Sequence, residues 1–271
     1  NDFPNLKGIV RYGVGYDNID LEICKERNIA FCNTPDYGTE EVADTTLAMI
    51  LSLHRSVMEY DFMTKYNDQL WLQNEYKPIR RSNKKKVGII GVGRIGTAVV
   101  NRLKSFGFNI YGYDLYQPSG HDKAIGYKRL DNLDDLLKIS DIISVHTPLT
   151  QKTKGMVDID FFRKMKKGSI FINTARGLIL KSLDHLFEAL RENYISCAGL
   201  DVLPNEPPED HILIKDWKNS KDWIKGRLII NPHASYYSRD AWEEMRFKAA
   251  ETVNLYLHKG VIRNQIFFNN D

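Results

Sequence analysis

The chain has 271 residues, 42% hydrophobic and 27% charged, with a formal net charge of +3. That is the composition of a globular protein with ample apolar material for a core, and so small a charge excess gives no reason to expect a nucleic-acid or acidic-membrane partner. No apolar run approaches the roughly 20 residues a membrane-spanning helix needs, and no leader-like segment is present.

Three cysteines, Cys24, Cys32 and Cys197, form no CxxC pair, and no His/Cys cluster has metal-ligand spacing. The expectation is no metal, a reducing cytoplasmic setting rather than a disulfide framework, and a buried, inert thiol at Cys197. The chain opens at Asn1-Asp2-Phe3-Pro4 without methionine and soon enters a strand-like Gly8-Ile9-Val10, which reads as a fragment.

In chain order, residues 7–11 read as a strand, 12–18 as a Gly-rich loop and 29–32 as a second strand ended by Asn33-Thr34-Pro35. Thr39 looks like an N-cap, with Glu40 and Glu41 complementing the dipole of an apolar helix through Val42, Leu47, Ile50, Leu51 and Leu53. Residues 60–83 are polar and aromatic, with Trp71 and Tyr76, and end in Arg80-Arg81 and Lys84-Lys85-Lys86. They read as a solvated linker, the alternatives being a phosphate patch or a subunit contact.

A nucleotide-binding block follows: strand 87–91, helix 94–106, strand 109–114, helix 133–138, strand 141–146 ending at Thr147-Pro148, and helix 160–165. Strand 169–173, helix 182–192, strand 197–202 and strand 228–231 come next. A long helix from about 238 to 258 then places Ala241, Met245, Ala249, Val253 and Leu257 on one stripe, with Gly260 as its stop. Short strands alternating with helices argue for a parallel sheet with crossover helices.

Gly91-Val92-Gly93-Arg94-Ile95-Gly96 follows a strand and opens a helix, which makes this GxGxxG specific. Gly91 permits the tight turn, Gly93 lets the backbone approach a pyrophosphate, and Gly96 lets helix and strand pack closely. The helix N-terminus supplies N–H groups to the phosphates. Asp114 ends the next strand roughly 20 residues on, where a ribose-binding acid belongs. It would repel a 2′-phosphate, and no Arg follows it closely in sequence, so NAD is favoured over NADP.

Three later segments each place a polar residue at a strand end, where open parallel sheets bind ligands: Arg176 in Asn173-Thr174-Ala175-Arg176-Gly177, Glu206 in the run Asp201 to Pro207, and His233 in Asn231-Pro232-His233-Ala234-Ser235. Singly these read as a surface arginine, a loop acid and a capping histidine. Together they suit hydride chemistry on a 2-oxo acid. A histidine can give a proton to the carbonyl oxygen and take it back. A carboxylate on its other ring nitrogen fixes the tautomer, and a guanidinium can hold the substrate carboxylate.

Through these motifs and the loop Gly13-Val14-Gly15-Tyr16-Asp17-Asn18-Ile19-Asp20, the chain resembles the D-isomer-specific 2-hydroxyacid dehydrogenases from Arg11 to about Leu257. Arg11-Tyr12-Gly13-Val14-Gly15-Tyr16-Asp17-Asn18 and His233-Ala234-Ser235-Tyr236-Tyr237-Ser238 are most similar to the C-terminal-binding-protein-like branch. The resemblance implies a Rossmann-type doubly wound α/β sheet beside a smaller flavodoxin-like substrate domain lacking its N-terminal part. The expected division is a substrate-domain remnant at 1–35, an NAD-binding domain at 36–232 and a helix returning to the substrate domain at 233–271. It implies Arg176, Glu206 and His233 as the catalytic set, and Arg11 with the Val14 and Gly15 amides as substrate-binding groups. Cofactor contacts are implied at Thr46, Thr147, Pro148, Thr174 and Asp201, besides Gly91, Gly93, Arg94, Ile95, Gly96 and Asp114. A homodimer is implied, with the helix after Thr39 and residues 60–76 as candidate contacts.

Three departures stand out. Tyr236 replaces a tryptophan of the C-terminal-binding proteins, Leu180-Lys181 replaces the usual pair after the arginine motif, and residues 211–227, with Trp217 and Trp223, look like an inserted surface elaboration beside the active site. The expected activity is hydride transfer between NAD(H) and a small 2-hydroxy/2-oxo acid; glyoxylate, hydroxypyruvate, phosphohydroxypyruvate and longer acids all fit. Glu206 speaks against a formate dehydrogenase, which resembles this family but carries glutamine there. Phosphite oxidation on the same fold and an NADH-sensing, corepressor-like interaction protein are the alternatives.

Overall fold

A computed structural model describes residues 3–66, 79–208 and 210–266. In chain order it contains β1 (Gly8–Val10), α1 (Leu21–Glu26), β2 (Ala30–Cys32), α2 (Thr39–His54), α3 (Val57–Tyr66), β3 (Lys86–Ile90), α4 (Arg94–Ser105), β4 (Asn109–Tyr113) and α5 (His121–Ile125). β5 (Lys128–Arg129), α6 (Leu133–Ile139), β6 (Ile142–Val145), α7 (Ile159–Lys164), β7 (Ser169–Asn173), α8 (Leu183–Arg191), β8 (Ile195–Leu200), α9 (Ile212–Lys218), β9 (Leu228–Ile230) and α10 (Arg239–Lys259) follow. None of the described helices is long and apolar enough to cross a membrane.

The chain divides into two compact units, one of Asn1–Glu41 with Tyr236–Asp271 and one of Val42–Ser235. The larger unit is built on a seven-stranded sheet ordered β5-β4-β3-β6-β7-β8-β9, every neighbouring pair parallel. Successive residues of its strands feed opposite faces. Ile170 and Ile172 pack with α2 and α4 residues such as Ile50, Leu53, Val99 and Leu103, whereas Phe171 packs with Leu136, Phe161, Phe162 and Leu186 from α6, α7 and α8. A sheet covered on both faces explains why β3, β6 and β7 read as continuous apolar runs. The strand order reverses between β3 and β6, so the loops leaving those two strands open a crevice at their carboxyl ends.

In the smaller unit β1 pairs in parallel with β2. Asp20 caps α1 by accepting the Ile23 N–H at 3.1 Å. Tyr37, Ala241 and Met245 form its buried cluster, with Val14 and Tyr236 packed against them. Ser238 caps α10, accepting the Ala241 N–H and donating to Glu41 Oε1 at 2.7 Å, and Gly260 closes the helix in the left-handed conformation.

Several expectations are corrected. Thr39 is the first residue of α2 rather than its cap. The stretch expected to be a linker begins inside α3, while Trp71 and Tyr76 lie outside the described residues. The stripe on α10 holds only for Ala241, Met245 and Ala249; Val253 and Leu257 are exposed. At 3.6 residues per turn each step of four rotates about 40° around the axis, so four steps carry Leu257 nearly to the opposite side. Residues 211–227 are no surface elaboration: Leu213, Ile214 and Ile224 join the core. Cys197 is half-buried, not buried; with Ser196 it is the less covered part of β8, between buried Ile195 and Ala198.

Candidate active site

The GxGxxG turn joins β3 to α4, which begins at Arg94. Gly91 has φ +87° and lies against the main chain of His146 and Thr147, so a side chain there would strain the turn and collide with the loop leaving β6. A methyl group added to Gly93 would meet no atom within 4 Å. The protein's own packing does not demand glycine there; the open space is what a close-approaching phosphate group requires. Gly93 caps α4 without a side-chain hydrogen bond, which leaves the helix N-terminus for an anion.

Asp114 immediately follows β4. Its Oδ2 accepts the Val92 N–H of the glycine turn at 2.8 Å, and Oδ1 accepts the Tyr116 N–H at 2.8 Å. One carboxylate therefore braces the glycine turn and the chain just beyond β4. An arginine is nearby after all, in space rather than in sequence: Arg129 donates to the carbonyls of Asp114 and Gln117 at 3.1 and 3.0 Å and pairs with Asp131 at 3.5 Å. Only the three-dimensional course of β5 reveals it.

Thr147 Oγ1 is buried with no hydrogen-bond partner in the structure, as is His146 Nδ1. His146 Nε2 is 2.9 Å from Ser144 Oγ, and burial pushes the imidazole pKa down to about 3. Thr46 Oγ1 donates to the Val42 carbonyl at 2.7 Å and lies 2.9 Å from Thr174 Oγ1. A hydroxyl has one proton, so Thr174 must donate to Thr46. With both protons committed, the pair offers only lone pairs, suited to an amide-like donor.

Beyond the ends of β7, β8 and β9 stand the expected catalytic residues Arg176, Glu206 and His233. Asn173 shapes the first turn: its Nδ2 donates to the Arg176 carbonyl and its Oδ1 accepts the Ala175 N–H, both at 3.0 Å. Gly177 then packs onto the Leu203 carbonyl, pressing the arginine-bearing turn against the next loop. That loop is folded around Glu206, whose Oε1 accepts the Leu203 N–H at 2.9 Å. Its other oxygen is 2.7 Å from His233 Nδ1. Ionised carboxylate only accepts, so this contact places a proton on Nδ1 and leaves Nε2 as the unprotonated nitrogen of the neutral ring. His233 and Glu206, 27 residues apart, are thus brought together as the chemistry requires.

In the smaller unit Arg11, Val14 and Gly15 share the loop after β1. Gly13 N–H donates to Thr34 Oγ1 at 2.7 Å, and Asn33 Nδ2 donates to the Val14 carbonyl at 2.7 Å. The Val14 carbonyl is tied inward, and Gly13, at φ +131°, turns the chain.

Residues 47–235 match the family model for the NAD binding domain of the D-isomer specific 2-hydroxyacid dehydrogenases. The chain belongs to this family. Among the relatives of this 2-hydroxyacid dehydrogenase chain, the D-3-phosphoglycerate dehydrogenase of Methanocaldococcus jannaschii is 36% identical over 264 residues, 97% of this chain and 47% of the relative. A glyoxylate reductase of Thermococcus litoralis is 36% identical over 256 residues, 92% of this chain and 73% of that protein. The chain thus spans about half the length of the first relative and most of the second. D-lactate dehydrogenase from Aquifex aeolicus, solved with NAD and lactic acid, superposes with a TM-score of 0.83 at 32% identity, covering 97% of this chain and 80% of that one. The larger unit is the NAD-binding domain of a 2-hydroxyacid dehydrogenase. Its open Gly93, uncapped α4 and solitary Thr147 hydroxyl fit that cofactor.

Proposed function

We propose that the protein interconverts a small 2-oxo acid and the corresponding D-2-hydroxy acid with NAD(H). The observation that carries this reading is the 2.7 Å contact between Glu206 and His233 at the sheet's carboxyl edge. NADH supplies the hydride to the carbonyl carbon. His233 Nε2 gives its proton to the carbonyl oxygen, and Glu206 stabilises the imidazolium before transfer and holds the ring afterwards. In the oxidative direction the neutral Nε2 takes the hydroxyl proton back. Arg176 holds the substrate carboxylate and polarises the carbonyl. By family resemblance, Arg11 and the amides of Val14 and Gly15 bind the same carboxylate, while Thr46, Thr147, Pro148, Thr174 and Asp201 serve the cofactor with the glycine turn and Asp114.

The same reading carries a homodimer in the cytoplasm, without nucleic-acid or membrane partners. Exposed Val57 and Met58 on α3 support a subunit contact, and three free cysteines suit a reducing compartment.

The test is oxidation of NADH, followed by absorbance, against glyoxylate, hydroxypyruvate, phosphohydroxypyruvate, pyruvate and longer 2-oxo acids. Turnover on at least one acid, abolished in His233→Ala and in Arg176→Ala while NADH still binds, is the expected result. Full activity in either variant overturns the assignment.

A further inference from the structure

Asp201 follows β8 and is 2% exposed. Three successive amides converge on it. Its carbonyl accepts the His233 N–H at 2.8 Å. Its Oδ1 accepts from Ala234 at 3.0 Å and from Ser235 at 3.1 Å, and Oδ2 lies 3.2 Å from the same Ser235 N–H. Such convergence demands a sharp bend, and His233 supplies it with φ +56°, the left-handed region that a histidine seldom occupies. Successive N–H groups curled through a left-handed residue form an anion-binding concavity. Here the anion is a side chain of the protein itself.

Glu206 is fixed independently by the Leu203 N–H at 2.9 Å. The histidine–glutamate contact therefore has two anchors, Leu203 on the acid and Asp201 on the imidazole-bearing backbone. We propose that Asp201 is a positioning residue: its carboxylate holds His233 in the left-handed conformation that sets Nδ1 against Glu206. This role is additional to the cofactor contact assigned by resemblance, since Oδ2 retains acceptor capacity. It rests on the reading of His233 as the acid–base group. Asparagine could keep one oxygen as the acceptor of both amides, but it would set an Nδ2 donor against the Ser235 N–H, where Oδ2 now stands at 3.2 Å.

The experiment compares the 271-residue protein with Asp201→Asn, Glu206→Gln and the double variant. The nitrogen resonances of the His233 ring, assigned by their loss in His233→Ala, report which nitrogen carries the proton. The parent is expected to show Nδ1 protonated, and Asp201→Asn a mixture of both tautomers. Turnover at saturating NADH should fall about 10- to 100-fold, the cost of a small misplacement of a reacting group; the Kd for NADH, read by fluorescence, reports the cofactor contact of Asp201 separately. In the Glu206→Gln background the same substitution should cost under about threefold, because the charged partner that it aligns with His233 is already gone.

An unchanged ring pattern in Asp201→Asn overturns the proposal. So do costs that multiply in the double variant. If Asp201→Asn fails to fold, Asp201→Glu, which keeps the charge but displaces it by a methylene, must still perturb the ring pattern. Absence of turnover in the parent on every 2-oxo acid refutes the functional reading, whereas the ring resonances still judge the role of Asp201.

Discussion

Gly177 sits directly on the main-chain carbonyl of Leu203, so closely that even a methyl group at 177 would overlap it. This contact joins the turn that bears Arg176 to the loop folded around Glu206. Gly177→Ala must push the two apart. Overpacking of this kind costs about 1–3 kcal/mol, to be read in urea unfolding. Turnover should fall at least about tenfold because two reacting groups separate together. Wild-type stability in this variant would show that the loops yield without cost.

Asp114 braces the glycine turn through Val92 and is proposed to bind the ribose. Asp114→Ser removes both the brace and the negative charge. NADH binding should weaken about tenfold or more, and NADPH binding should improve relative to it, because a 2′-phosphate no longer meets a carboxylate. Fluorescence titration with each dinucleotide measures both. An unaltered ratio would mean that Asp114 does not discriminate between them.

His146 ties stability to pH. Its folded pKa is held down to about 3 by burial, below the ordinary 6.5. Between these values the unfolded chain binds a proton that the folded chain refuses, so stability falls as pH drops below 6.5, by at most about 1.4 kcal/mol per pH unit. Above 6.5 both states are neutral and the effect vanishes. His146→Gln should therefore lose less stability than the parent between pH 7.5 and pH 5, compared by urea midpoints; parallel losses would count against this.

Arg227 is a clamp made of carbonyls. Its guanidinium donates to Ser196 O at 2.7 Å, to Trp223 O and Leu190 O at 2.8 Å, and to Asn193 Oδ1 at 3.2 Å. It thereby sews the end of α8, the start of β8 and the approach to β9 together. Arg227→Met leaves these acceptors without a donor and should cost about 2–4 kcal/mol. Turnover at low temperature should be kept, since the residue stands at the amino ends of β8 and β9, away from the catalytic loops. A melting curve beside an activity assay separates the two outcomes.

What could be read from the chain follows from how local its cause is. The glycine turn, the strands on either side of it and the Ser169–Asn173 strand were legible because a run of apolar residues or a fixed spacing is written in consecutive letters. The pairing of His233 with Glu206 was legible as chemistry, since the residue types suit each other, but its geometry depends on a left-handed histidine that no local signal announces. α3 was hidden because none of its described residues is buried, so it writes no apolar stripe, and residues 211–227 because Leu213, Ile214 and Ile224 sit among charges that dominate the composition. Arg129 beside Asp114 was invisible for the plainest reason: 15 positions of chain separate them. Likewise the α10 stripe failed at Val253 because a step of four is not a whole turn.

The smaller unit is assembled from the two ends of the chain, and Gly8 on β1 lies against Tyr256 on α10. On a ribosome these residues emerge far apart in time: at roughly 5–20 residues per second, about 12–50 s separate them. The uninterrupted stretch from Val42 to Ser235 is finished in between and can close its sheet while the first strand still waits for its helix. Sheltering thus lags behind synthesis: the segment around β1 is made before the larger unit yet is covered only after α10 has emerged, and it is the one that a nascent-chain chaperone would have to hold.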